Sequence, residues 1–419
     1  MKTFAIYILG CKVNHYEATY VKEKLIENNY QEVNFNDSAD IYIIFTCCVT
    51  NIAESKTRKY IHRAKRNNKN AYIAVVGCLP QIKPNDFKEY DLIIGSNNKE
   101  EIVNYILNKK RANLVNKEID NKFEDLIISS YPDRSRAFLK IQDGCNQYCS
   151  FCIIPYSRGK ERSKNHLTII NEAKNLLNNV NEIVLTGIHT GRYNDGEYNL
   201  YDLLKELLKL DNLKTLRLSS IEINEISDEL IELFKDKKFG KNLHIPVQSM
   251  SDEILKLMHR PYTYEYYKDR IEYIRKQIPK ISISTDLIVG FPYETNELFD
   301  ITYQRLNEIK FSFIHVFPYS RKKDTLADKY DNHLSKEIKK ERVNKVIELS
   351  KKISKEYNSR FLNQIVEVLI EKNDKNNSYG YSKQYFYCEI KGKYNIGDII
   401  KVRIIDVNND KITGEYVSE

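Results

Sequence analysis

Four short runs rich in isoleucine and valine open the chain, and a helical pattern follows each of them. TFAIYIL precedes a helix from about Tyr16 to Asn28, and IYIIF precedes one from about Ile52 to Arg66. AYIAVV leads into another short segment, and DLII leads into Glu100 to Leu107. Apolar runs of strand length alternating with helices demand a parallel sheet buried on both faces. Residues 1–112 are therefore expected to form an N-terminal parallel α/β domain.

From 113 to 134 the pattern weakens into a polar, charged stretch punctuated by Pro132, which reads as a linker. Six more units follow: AFLKIQ, EIVLTG, TLRLSS, NLHIPV, ISTDLIVG and FSFIHVF, each with a helical segment behind it. A full (β/α) barrel needs eight such units, so residues 135–357 predict a partial (β/α)6 barrel. A long charged helix ends near Arg360, after which QIVEVLIE, YFYCEIK, DIIKVRIIDV and KITGEYV read as short strands, broken by KNNSYG and KYNIGD. Residues 358–419 thus predict a small all-β barrel.

Composition narrows the function classes. A chain of 419 residues predicts two or three domains. No apolar stretch reaches membrane-spanning length, and the apolar start runs into Lys, Asn and Glu, which fits a first strand better than a secretory leader. Eight cysteines grouped in short motifs do not form an extracellular disulfide framework, so the expected setting is the reducing cytoplasm. The net charge of +8 is compatible with an RNA partner but does not select one.

Those cysteines carry the chemistry. Cys11, Cys47 and Cys78, in LGCK, FTCC and VGCL, each sit just past the carboxyl end of one of the first three strands. In an open parallel sheet those ends share the rim where ligands bind. The bland alternative is three unrelated core cysteines. Cys48 would point to the opposite side if its strand continues, which makes Cys47 the better ligand of the two. A second set, Cys145, Cys149 and Cys152, lies in DGCNQYCSFCIIPYSRG, in the loop after the first barrel strand. Three thiolates at this spacing clasp one compact metal centre. Two readings stand: zinc with a distant fourth ligand such as His166, or a four-iron cluster whose open iron binds a small molecule. Zinc fingers usually pair two short Cys or His motifs, and no partner pair is present here.

The spacing CNQYCSFC resembles the signature of radical S-adenosylmethionine (radical SAM) enzymes, which implies a [4Fe–4S] cluster that cleaves S-adenosyl-L-methionine to a 5′-deoxyadenosyl radical. GCNQYCSFCIIPYSRGKERS, with LGCKVNHYE, TCCVTN and VVGC upstream, is similar more narrowly to the methylthiotransferases over essentially the whole chain. That resemblance implies a second [4Fe–4S] cluster on Cys11, Cys47 and Cys78 and an RNA-contacting TRAM barrel at the end of the chain. The form GCKVNHYE most resembles the bacterial branch that methylthiolates carbon 2 of threonylcarbamoyladenosine beside the tRNA anticodon. The implied reaction removes hydrogen from carbon 2 with the radical and inserts a methylated sulfur there. The implied partners are a tRNA anticodon stem-loop, an electron donor such as flavodoxin or ferredoxin, and a sulfur source. Two features depart from the family pattern: Phe45 stands where Asn is usual, and Cys48 adds a thiol.

Further candidates have ordinary alternatives beside them. Phe151, before the last cysteine, is placed near the adenine by the resemblance, or is a core aromatic. Gly187 and Gly290 end barrel strands, where a glycine admits close backbone approach or makes a tight turn. Gln248 in HIPVQS either hydrogen-bonds the cofactor or caps the following helix. Arg158 and Arg162 suit carboxylate or phosphate, or form a solvated basic loop. KTRKYIHRAKRNNK is a candidate phosphate contact, or an exposed face in a Lys-rich chain. Of Tyr379, Tyr381, Tyr385 and Phe386, at most one is expected to stack on a base. The competing functions are the same chemistry on isopentenyladenosine or on a ribosomal-protein aspartate, and a zinc-stabilised RNA-binding protein without catalysis.

Overall fold

The computed structural model describes residues 2–418 apart from 117, 120, 132–134 and 409–410. Its first sheet is β1 (Thr3–Ile8), β2 (Gln31–Glu32), β3 (Ile41–Thr46), β4 (Tyr72–Gly77), β5 (Leu92–Ile94) and β6 (Ala112–Asn113). All pairs are parallel, in the order β2-β1-β3-β4-β5-β6. The period of two sorts each strand between two cores. Phe4, Ile43, Phe45, Ala74 and Val76 pack under α1 (Lys12–Glu27) and α4 (Ile102–Leu107). Ala5, Tyr42, Ile44, Ile73 and Val75 pack under α2 (Asn51–Asn67) and α3 (Cys78–Ile82). Helix α1 begins at Lys12, earlier than the apolar pattern indicates, because its first turns bury the polar Asn14 and Glu17.

The second unit is the expected open barrel. Its strands are β7 (Arg136–Lys140), β10 (Glu182–Thr186), β11 (Thr215–Leu218), β12 (Asn242–His244), β13 (Ser282–Val289) and β14 (Phe313–Pro318). They form two parallel three-stranded sheets, bridged where Leu216 meets Phe239 and where Ile221 N–H donates to His244 O at 3.1 Å. Around them lie α6 (His166–Leu176), α7 (Leu200–Leu208), α8 (Asp228–Phe234), α9 (Asp252–Leu257), α10 (Tyr264–Gln277), α11 (Asn296–Ile309) and α12 (Lys336–Ser359). Each of these seven opens on an Asn, Ser or Thr whose side chain accepts a first-turn N–H, which fixes where it starts. Leu139, Ile183, Leu185, Leu216, Ile283 and Ile314 point outward into the core beneath the helices. The alternate residues, Arg136, Phe138, Glu182, Arg217, Asp286 and His315, therefore face the barrel lumen. A hairpin of β8 (Gln142–Asp143) and β9 (Arg162–Ser163) brackets the cysteine loop, with α5 (Ile154–Arg158) inside it.

Two expectations need correction. The stretch read as a linker is packed: Leu126, Ile128 and Tyr131 are buried in the barrel core. Glu172 accepts the Ile128 N–H at 3.0 Å, Glu23 accepts the N–H groups of Ser129 and Ser130, and Lys164 donates to Leu126 O at 2.9 Å. The alternation of Leu126, exposed Ile127 and Ile128 marks a one-sided strap, hidden by charged residues on either side. Pro132 lies outside the described residues. In the tail, β15 (Ile365–Asn373), β16 (Asn377–Ser382), β17 (Tyr387–Lys391), β18 (Ile399–Val407) and β19 (Ile412–Tyr416) close a barrel in the order β15-β16-β17-β19-β18. Strand β16 overlaps the segment read as a break. Its buried positions, Ser378, Gly380 and Ser382, carry no apolar signal, and a Cβ on Gly380 would stand 2.0 Å from Leu369 O.

The tail barrel docks where β7 and β10 begin. Glu182 lies 3.3 Å from Arg136 and 3.0 Å from Arg217. Arg136 reaches Glu371 at 2.5 Å and lies under the rings of Tyr381 and Tyr385, while Arg217 donates to Ser382 O at 3.0 Å and Lys383 O at 2.9 Å. Among the described residues no helix is long and apolar enough to cross a membrane.

If the strap is core, Ile128→Ala should cost about 2–5 kcal/mol in denaturant unfolding. A loss below about 1 kcal/mol would mean that it rests on the surface.

Candidate functional site

The rim of the first sheet does gather three sequence-distant cysteines. Gly10 and Gly77 precede Cys11 and Cys78 with φ of 100° and 104°, a region that L side chains rarely adopt, so each strand turns sharply into its helix at the cysteine. The β1–α1 turn sits directly on the next: a Cβ at Gly10 would lie 3.0 Å from Cys47 Cβ and 3.3 Å from its sulfur. Asn14 donates to Leu9 O at 2.5 Å and to Thr46 O at 2.9 Å, and the Thr46 hydroxyl donates to Val76 O at 2.7 Å. These bonds tie the ends of β1, β3 and β4 together. Burial raises the Cys11 thiol, and burial together with the charge of Cys78 pushes Cys47 up to about 12. Cys78 goes the other way, to about 6, because the Cys48 thiol donates to it and Arg158 stands beside it, which outweighs its burial. Cys48 does not point to the far side as expected. Strand β3 ends at Thr46, and the Cys48 side chain lies buried against Cys78.

The second set is held by backbone and two cations. Cys145 N–H donates to Gly159 O at 3.0 Å, and Ser150 N–H donates to Met258 O at 3.1 Å. The Gln147 N–H points at Cys145 Sγ at 3.4 Å, and Arg260 donates to Cys149 Sγ, also at 3.4 Å. Burial lifts Cys149 and pushes Cys152 up to about 12. A metal centre at either set would replace these protons while the neighbouring donors stabilise the thiolates. His189 stands 3.5 Å from Cys145, 2.9 Å from Glu161 and 2.8 Å from Glu225. Burial works against its charge, but Cys145 and Glu225 push its imidazole up to about 11.

One further group of possible ligands lies beside the second set. Among the described residues, one group of three ligating side chains closes to within 4.8 Å, and it is Cys145, Glu161 and His189. Neither cysteine triplet does so. A zinc ion would draw its thiolates within about 4 Å of one another and a four-iron cluster would set them farther apart, so metal content separates the two readings. His166, the distant candidate, pairs with Asp195 at 2.8 Å and stacks on Tyr198.

Arg158 joins the two sets. It is fully buried, donating to Cys78 Sγ at 3.2 Å, Glu17 at 3.1 Å, Asp143 at 3.1 Å and Asn14 at 2.8 Å. Lys140 completes the cluster at 2.8 Å from Glu17 and 2.7 Å from Asp143. Burial alone would raise the Glu17 carboxyl; Arg158, Lys140 and Lys99 overcome it and hold the group at about 2. Arg162 is likewise turned inward, onto Arg158 O at 2.6 Å and Lys160 O at 3.1 Å. The expected open guanidiniums for cofactor or tRNA are therefore spent on internal partners, because the loop folds back between two acidic groups.

The remaining candidates are scattered around the rim. Phe151 packs beside a small core of Ile254, Met258 and Phe291. Gly187 follows β10 with its α-carbon against Gln142, and Gly290 follows β13 with its N–H on Glu294 at 2.7 Å. Gln248 does not cap α9, whose cap is Ser251; it bridges to β13 through Asp286 O at 2.9 Å. The basic helix α2 spends Arg58 on Asp86 and Lys65 on Glu89. In the tail, Tyr381 and Tyr385 stack over Arg136, Phe386 is core, and Tyr379 donates to Asp374. Arg260, Glu17, Lys140, Asp143 and His189 escaped the sequence reading. The one available signal was polar Asn14 and Glu17 on the buried face of α1, at helical spacing from Cys11.

Comparison with known proteins agrees with this layout. The Radical SAM superfamily profile matches residues 139–306, and that of "Uncharacterized protein family UPF0004" matches residues 3–95. The "Threonylcarbamoyladenosine tRNA methylthiotransferase MtaB" of Bacillus subtilis (strain 168) is 38% identical over 100% of this chain and 97% of its own. Its namesake in Aquifex aeolicus (strain VF5) is 36% identical, over 96% and 99%. The "tRNA-2-methylthio-N(6)-dimethylallyladenosine synthase" of Thermodesulfovibrio yellowstonii is 34% identical over 100% of both chains. Among solved structures, the radical S-adenosylmethionine methyltransferase TsrM from Kitasatospora setae shares the fold at a TM-score of 0.56 and 12% identity, covering 75% of this chain and 73% of that one.

Glu17→Ala leaves Arg158 and Lys140 short of a carboxylate in a dry interior. The expected cost is about 3–5 kcal/mol of stability by denaturant unfolding. A change under about 1 kcal/mol would contradict the assigned role of the cluster.

Proposed function

The chain belongs to the radical SAM tRNA methylthiotransferases, and we propose that it converts N6-threonylcarbamoyladenosine beside the anticodon to its 2-methylthio derivative. The relatives at 38% and 36% identity, both named for that nucleoside, support this substrate over the dimethylallyl one named in the relative at 34%. The motif GCKVNHYE points the same way.

One observation carries the cofactor assignment: the loop that holds one three-cysteine set also sends a buried guanidinium, Arg158, to Cys78 of the other. We assign Cys145, Cys149 and Cys152 to the [4Fe–4S] cluster that binds S-adenosyl-L-methionine, and Cys11, Cys47 and Cys78 to a second [4Fe–4S] cluster. When bound, these groups supply a 5′-deoxyadenosyl radical and a site for the sulfur to be transferred. The chain's own residues hold them. Arg260 and the Gln147 N–H steady the first set of thiolates, while Arg158 and the Cys48 thiol steady Cys78. We assign Phe151, Gly187, Gln248 and Gly290 to S-adenosyl-L-methionine contact, on the family resemblance and on the places of Gly187 and Gly290 just after β10 and β13. The tail barrel is anchored on the start of β7 and on β11 through Arg136 and Arg217. The partners are a tRNA anticodon stem-loop, an electron donor such as flavodoxin or ferredoxin, and a sulfur source, in the cytoplasm.

Nucleosides from a deletion strain, compared by mass spectrometry, test the substrate. The 2-methylthio form of threonylcarbamoyladenosine should vanish while the dimethylallyl-derived nucleoside is untouched; the reverse would assign the sister activity. At the residue level, Cys145→Ala should abolish S-adenosyl-L-methionine cleavage. Cys78→Ala should leave uncoupled cleavage but no sulfur insertion, and retained product would refute its assignment.

A further inference from the structure

A second joint between the two cysteine holders centres on Glu54, in the first turn of α2. Its Oε1 accepts from the Lys322 ammonium at 2.7 Å, and its Oε2 accepts from that of Lys83, also at 2.7 Å. Lys322 donates as well to Asn51 Oδ1 at 3.0 Å, and the Asn51 N–H donates to Ser320 Oγ at 3.2 Å. The partners on the N-terminal domain stand close behind its cysteines. Asn51 opens α2 just after Cys47, and Lys83 closes α3, which begins at Cys78.

Ser320 and Lys322 belong to the loop after β14, and that loop is anchored on the other cysteine set. Ala327 N–H donates at 2.7 Å to the carbonyl of Ser150, which lies between Cys149 and Cys152. Ala327 is itself buried in the small core with Met258 and Phe291 against which Phe151 packs. Inside the loop the Thr325 hydroxyl donates to Lys322 O at 2.7 Å, and Arg321 donates to Asp328 O at 2.8 Å. A continuous hydrogen-bonded path therefore runs from Ser150 to Glu54. The Lys322 and Glu54 side chains are 6% and 14% exposed, so the pair is shielded from the solvent that weakens a surface ion pair.

Two bodies held at one joint can still turn about it, and a second joint elsewhere stops the turning. Arg158 grips α1 on one face of the first sheet, while Glu54 gathers α2 and α3 on the other. We infer that Lys322 is a positioning residue, which through Glu54 and Asn51 holds Cys47 and Cys78 at a fixed span from Cys149 and Cys152. The inference rests on the two-cluster reading, in which radical and sulfur must reach one carbon.

The test gives the iron-loaded protein tRNA from the deletion strain and counts methylthio product per 5′-deoxyadenosine, with iron content and backbone hydrogen exchange measured alongside. Lys322→Met should make 5′-deoxyadenosine at the wild-type rate with full iron, yet yield roughly ten- to a hundredfold less product for each. Exchange in the first turn of α2 should quicken, because that turn is no longer tied to the loop. Glu54→Gln should reproduce the loss, and Lys322→Arg should recover part of the yield. An unchanged yield, an unchanged exchange, or cleavage that falls as far as product (lost structure, not lost position) would overturn the assignment. Wild type with about four irons would instead sink the two-cluster reading itself.

Discussion

One buried guanidinium organises this molecule. Arg158 leaves the radical SAM cysteine loop, enters the N-terminal domain and donates to Cys78, while its other nitrogens meet Glu17 on α1, Asp143 on β8 and Asn14 beside the first cysteine. A cation with no solvent contact persists only with its carboxylates in place, so the two domains cannot slide without breaking it. On the two-cluster assignment proposed above, a rigid joint between the domains keeps the radical and the sulfur donor within reach of one carbon.

The same logic repeats around the lumen. Charges are buried in complete sets: Lys164 with Glu172, Arg260 with Glu222, Arg342 with Glu294. The strap from 124 to 131 adds its own acceptors and donors across the domain boundary.

Local signals account for what the sequence disclosed. Period-two and period-3.6 patterns located the two parallel sheets, since strands such as β3 are apolar at nearly every position. Cysteine spacing disclosed the loop triplet and strand-end placement the rim triplet, and Gly10 and Gly77 mark the turns at two of its cysteines. The rest lay beyond sequence reach for a common reason. Arg158, Lys140 and Glu17 are buried charges, and in one dimension they look like any solvated face of a Lys-rich chain. Arg260 acts on Cys149 from 111 residues away. Strand β16 hides behind Ser378, Gly380 and Ser382, and the strap hides behind its acidic flanks.

Iron stoichiometry after anaerobic reconstitution is the most direct measure of the two-site account. Wild type should carry about eight irons per chain and the triple alanine variant of either cysteine set about four. Four irons in wild type, or zinc in place of iron at Cys145, Cys149 and Cys152, would contradict it.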